Sequence, residues 1–255
     1  CLLFILNSGI NRIMMETNEQ RPINDFPSVI EAVLKAIREK DFEQAAILAS
    51  LAYNLAPNLS EQARAARDLS AAYRHQGDYD ESEKWATEAV EQHKALVEEE
   101  ENRSTLRELG ASVATLGTLQ LQRIVTDPSY DNQENSQRAA ENLSKGLRYI
   151  EESRKHATDK DRKIDQYDIN FTARTGFAEA LAGDTKRSLA LGARAVRLAF
   201  LSESPKIDTS NPNMAVEERF KAKARALTRG VGAVAVAAVA PFNRELAKSI
   251  VKKLN

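Results

Sequence analysis

The stretch Leu69–Ala89, LSAAYRHQGDYDESEKWATEA, decides the fold. A helical run ends at Gln76, and Gly77 supplies a left-handed terminus that carries no Cβ penalty. Asp78 then opens a second helix. Its side chain is placed to accept from the amide three residues on, with Glu81 at the position that reaches back. The same device stands about 37 residues earlier, where Asp41-Phe42-Glu43-Gln44 separates two helical runs. A helix–turn–helix unit that recurs at this period predicts stacked helical hairpins.

Working outward, SVIEAVLKAIREK places Val29, Val33 and Ala36 on one face. Ala45, Leu48, Ala49 and Ala52 share a face of the next helix, which stops before Pro57, and Ser60 is expected to cap the third. Two weaker hairpins follow. One spans about 103–125 and 133–156, with TDPSYDN as an inserted turn and Asp131 and Glu134 as its capping pair. The other spans about 160–182 and onward to Phe200, turning at Gly183-Asp184. After the polar loop SESPKIDTSNPN, a last pair starts near Pro212 and turns at Pro241. The expectation is all-α: about ten helices in a right-handed stack of antiparallel hairpins. Residues 1–25 read as a poorly structured N-terminal segment, 26–202 as the repeat domain and 203–255 as a capping hairpin.

Composition agrees. The 255 residues are 42% hydrophobic and 29% charged, as in a folded chain rather than a disordered one. Ten glycines and seven prolines are too few for a many-turned β sandwich. A net charge of −1 does not imply a dominant polyanion-binding surface, so neither nucleic acid nor membrane is an expected partner. The only cysteine, Cys1, excludes an internal disulfide framework and a cysteine zinc site. The apolar opening CLLFIL has no basic residue before it, and a start at Met14 or Met15 is the preferred reading, with a cytoplasmic location. The longest apolar run, GVGAVAVAAVAPF from Gly230, falls short of a membrane span and reads as a closely packed helix.

The second hairpin resembles the tetratricopeptide repeat (TPR). Leu69 and Ser70 fall on the Leu-Gly pair, Tyr73 on the aromatic position and Gly77-Asp78-Tyr79 on the Gly-Asp-Tyr turn. Ser82 and Ala89 take the two small positions, while Ala66 replaces the usual tryptophan and Lys94 the closing proline. Other units match through Asp41-Phe42, Ala45, Ala52 and Pro57, through Leu109-Gly110 and Val113, and through Gly176, Gly183-Asp184, Ser188 and Ala195. The resemblance implies a protein or peptide interaction module, not a catalyst.

The residues that could carry chemistry agree with that implication. His75, His93 and His156 form no zinc-binding helical pair and read as surface residues. Phosphate loops, GxSxG and a cysteine nucleophile are missing from the sequence. Glu98–Glu101 reads as a solvated helix end and Trp85 as a packing residue, and Tyr149 and Tyr167 are read in the same way. No cofactor or metal is expected.

In the family, the concave groove is lined mainly by the first helix of each repeat. By that register the candidate peptide-binding residues are Arg64, Arg67, Arg74, Arg107, Asn170, Arg174 and Phe177, with Asp68, Ala71, His75 and Glu108 beside them. Guanidinium forks suit carboxylates, so acidic peptides or free C-termini are the favoured ligands. Only Arg174 falls on the Lys/Asn clamp of chaperone-binding members, so chaperone binding is not inferred. The expected function is a non-enzymatic binding scaffold. The alternatives are self-association through the terminal hairpin, a sensor module of a larger protein, or an enzyme on a helical-repeat scaffold.

Overall fold

The computed structural model describes residues 25–157, 166–201 and 212–254. Met14, Met15, the rest of residues 1–24, the loop 202–211 and the start of the fourth hairpin before Gln166 lie outside these, as does the side chain of Tyr167. Ten α-helices occur among the described residues, and no strand. They pair as α1 (Phe26–Glu39) with α2 (Phe42–Leu55), α3 (Leu59–Gln76) with α4 (Tyr79–Glu99), and α5 (Arg103–Thr126) with α6 (Gln133–Ser153). Then come α7 (Gln166–Ala182) with α8 (Thr185–Leu201) and α9 (Pro212–Val239) with α10 (Arg244–Leu254). None of these helices is long and apolar enough to cross a membrane.

Each helix packs on the next in sequence, and the first helices of the hairpins also touch in succession: α1 on α3, α3 on α5, α5 on α7, α7 on α9. The second helices stand farther apart, with no Cα pair within 8 Å among the described residues, and meet through longer side chains such as Trp85 on Tyr53 and Arg187 on Ser144. A stack whose first helices are closer together than its second helices curves toward the first, so α1, α3, α5, α7 and α9 form the inner wall. α10 departs from the pattern by packing back on α5 and α7 of that wall.

Local chemistry sets the hairpin turns. The carboxylates of Asp41, Asp78 and Asp184 accept from the amides of Gln44, Glu81 and Arg187 at 3.0, 3.1 and 2.9 Å. The residue before each is left-handed: Lys40 at φ 63°, Gly77 at 85° and Gly183 at 96°. Two expected caps are displaced. Asn58, adjacent to Leu59, caps α3 by accepting from Glu61, which leaves Ser60 inside the first turn. Asn132, adjacent to Gln133, caps α6 by accepting from Asn135, and Asp131 pairs instead with Arg244 and Lys248. Asp25 caps α1 by accepting from the Ser28 amide.

The small positions are contact points. Ala45, Ala52, Ala89 and Ala195 are fully buried, and the Ser82 and Ser188 hydroxyls donate across their hairpins to the carbonyls of Ser70 and Gly176, each at 2.7 Å. At the α5–α6 crossing, a Cβ on Gly146 would sit 2.7 Å from the Ala114 nitrogen and from the Gly110 oxygen. Gly230 likewise faces Val196 of α8 at backbone distance, the close packing expected of that run. One core layer joins the first two hairpins, and a larger one joins the third to the fifth. His93 is not a surface residue: it is 1% exposed, with Nδ1 2.9 Å from the Ala89 carbonyl and 3.0 Å from the Ser112 hydroxyl. His75 is exposed and stacks on Phe42, and Trp85 packs edge-on to Tyr53 with centroids 5.1 Å apart.

Candidate binding groove

The inner wall presents a pocket of about 390 Å³ between α3, α5 and α7. Arg67, Asp68, Ala71 and Arg74 come from α3, at the three- and four-residue spacing that keeps side chains on one stripe. α5 contributes Arg107, Glu108, Ala111, Thr115 and Thr118 by the same spacing, α7 contributes Asn170, Phe171 and Arg174, and Ile150 of α6 reaches the pocket from behind. Five of the seven candidate residues therefore meet: Arg67, Arg74, Arg107, Asn170 and Arg174.

The other two do not. Arg64 lies a turn earlier on α3, is exposed, and sits 3.8 Å from Glu61 on its own helix. Phe177 is 0% exposed and belongs to the core with Leu121, Leu181, Ala247 and Val251. The repeat register points it at the inner wall, but α10 lies over that part of the wall and turns the position into interior. As a groove residue Phe177 is corrected to a core residue.

One ion pair lies inside the pocket. Arg67 Nη1 donates to Glu108 Oε2 at 2.7 Å. Burial pushes the Glu108 carboxyl up, but the charge and hydrogen bond of Arg67 outweigh it and hold the group below the usual carboxylate range. Asp68 is raised by burial despite Arg67 and Arg64. Its Oδ2 and the Nε of Arg74 are buried with no protein hydrogen-bond partner among the described residues. Burial lowers Arg74. Arg174 is lowered to about 10, by burial first and then by repulsion from Arg74 and Arg229, so two guanidinium groups from different helices feel each other across the pocket. At neutral pH it remains charged.

Arg229 of α9 is a participant that sequence reasoning missed. Its Nη1 donates to Asn170 Oδ1 at 2.6 Å and its Nε to the Leu254 carbonyl at 3.2 Å, tying the pocket rim to the end of α10. No repeat signature marks the fifth hairpin, so nothing local pointed to it. Thr115 and Thr118 were legible, being eight and eleven residues past Arg107 on one stripe. Among the described residues no group of acids and histidines is arranged to hold a metal ion, and Glu98–Glu101 is an exposed helix end.

No family model matches the chain, and no curated protein does. Solved structures do. A protein described as a putative kinesin light chain from Podosopora anserina, with nearly identical TPR-like repeats, superposes at a TM-score of 0.55 with 13% identity, over 92% of this chain and 95% of that one. A point variant of that protein gives 0.56 and 13%, over 93% and 95%. The fold is a TPR-like α-solenoid. In that fold the pocket lies on the inner wall, formed by the first helices of the hairpins.

Proposed function

We propose that this TPR-like chain is a non-catalytic, cytoplasmic scaffold that binds a segment of a partner protein, acidic in character, along α3, α5 and α7. The observation that carries this reading is the convergence of Arg67, Arg74, Arg107 and Arg174, from three successive first helices, on one concave pocket. An acidic segment is complementary to such a guanidinium-lined wall. In the same reading, α9 and α10 close the end of the stack.

The test places a photo-crosslinking amino acid at Ala111, inside the pocket, or at Thr87, exposed on α4. Partner capture should occur from position 111, and be lost when Arg74 and Arg107 are both changed to Glu in a protein of unaltered melting behaviour. Capture from position 87 alone would move binding to the convex face. Self-association is a second reading, favoured by Phe242, 90% exposed at the α9–α10 turn, with Leu246 also exposed. Light scattering of Phe242→Ser decides it: a wild-type dimer that becomes a monomer supports it, and a wild-type monomer refutes it.

A further inference from the structure

The described residues lining the pocket include four arginines and two acids, an excess of two positive charges. Glu108 is held by Arg67 at 2.7 Å, and Arg74, Arg107 and Arg174 are the other cations of the lining. Arg107 and Arg174 each keep contacts of their own, so a ligand would exchange for local partners rather than meet idle side chains.

The shape of the groove restricts what that ligand is. An extended acidic strip needs cations spaced along the wall. Here Arg64 lies outside the pocket, and beyond it α10 covers the inner side of α5 and α7. The cations instead converge from three helices on one place. A carboxylate brings one charge and two oxygens. A phosphoryl group brings about −1.5 to −2 charges at neutral pH and three strong acceptor oxygens, which suit guanidinium forks approaching from different directions. The recess sits inside a concave wall, out of reach of a flat lipid surface. We propose that the pocket recognises a phosphorylated side chain on a protein segment. This rests on the groove reading above and names the group that anchors its ligand.

The probes are three dye-labelled degenerate peptide mixtures, identical except for a central phosphoserine, glutamate or serine, with no other charged residue. Anisotropy titrations should give the phosphoserine mixture roughly tenfold or greater preference over glutamate, a preference that weakens with added salt. The serine mixture should show no saturable binding. Arg74→Gln should abolish the preference at unchanged melting temperature. Should Arg74→Gln also lower melting, Arg107→Gln is read instead, with the same expected loss. Equal affinity for phosphoserine and glutamate would overturn the proposal, as would inorganic phosphate competing at the peptide's own concentration, which would mark a site for the free ion. Absence of binding by every mixture would overturn it too, while crosslinking from position 111 would still leave the groove reading intact.

Discussion

Replacing Gly146 by alanine tests the close crossing on which the position of the groove depends. In an uncontacted helix this change is favourable, because alanine exceeds glycine by roughly 1 kcal/mol in helix propensity. The α5–α6 crossing reverses the sign. The new methyl would lie 2.7 Å from two backbone atoms of α5 and 2.8 Å from the Ala114 methyl, against ordinary contacts nearer 3.4–4 Å. Backbone cannot rotate away, so the helices must part by several tenths of an ångström or more. Overpacking of this kind costs roughly 1–3 kcal/mol, and contact with backbone puts it at the upper end. Subtracting the propensity gain leaves about 1–2 kcal/mol of destabilisation, or roughly 2–8 °C in a protein of this size. Gly77→Ala is the control: nothing lies within 4 Å of its added Cβ, so only the strain of φ 85° remains, roughly 1–2 kcal/mol. Thermal and urea melts read both. Since α5 also carries Arg107 and Glu108 into the pocket, Gly146→Ala should weaken ligand capture where Gly77→Ala does not. A rise in melting temperature for Gly146→Ala would show that α5 and α6 do not cross there.

Ala45→Leu should cost roughly 1–3 kcal/mol by forcing α1–α3 apart, with Thr87→Leu near neutral in the same melt; Glu88 is no substitute control, because it accepts hydrogen bonds from Tyr53 and Gln92. His93 is lowered chiefly by burial, so its folded state favours the neutral ring. The stability it contributes is complete above the unfolded value near 6.5 and is lost as pH falls below that, and His93→Gln should flatten the melting profile in this window. Asp131 is raised by burial but lowered further by Arg244 and Lys248, whose nitrogens each lie 2.7 Å from it. Its contribution is complete above about pH 4 and lost as pH falls through the depressed folded value, so Asp131→Asn should remove that acid arm while leaving the His93 window in place.

What could be read in the sequence was what neighbouring residues decide among themselves. A left-handed residue followed by a capping aspartate fixes each hairpin turn within four positions, and it did so at Asp41, Asp78 and Asp184. The arginine stripe of α3 is equally local, since helical geometry alone sets Arg67 and Arg74 on one side. Competition between adjacent caps was harder, and Asn58 displaced Ser60 by being next to the first helical residue. His93 carried a readable signal that its polarity masked: Ala86, Ala89, Val90 and His93 form one buried stripe of α4. The pairing of Arg67 with Glu108 was not readable, because it joins residues 41 positions apart and depends on how two hairpins stack.

The largest departure from repeat logic is α10, and its cause is electrostatic as well as apolar. A regular second helix would continue the outer layer. This one carries Ala247 and Val251 into the core on one face, and Arg244 and Lys248, one turn apart, on the side that meets Asp131. Arg244 also donates to the Ser136 hydroxyl and the Leu181 carbonyl, so a single side chain ties α10 to α6 and α7. Asp131 is engaged there, while Asn132, next to the first helical residue, caps α6. The docked helix buries Phe177 and restricts the exposed inner wall to the neighbourhood of Arg67, Arg74, Arg107 and Arg174. One inserted turn in the third hairpin thus has a distant consequence. It supplies the acid that seats α10, and the seated helix reduces a long groove to a compact cationic pocket.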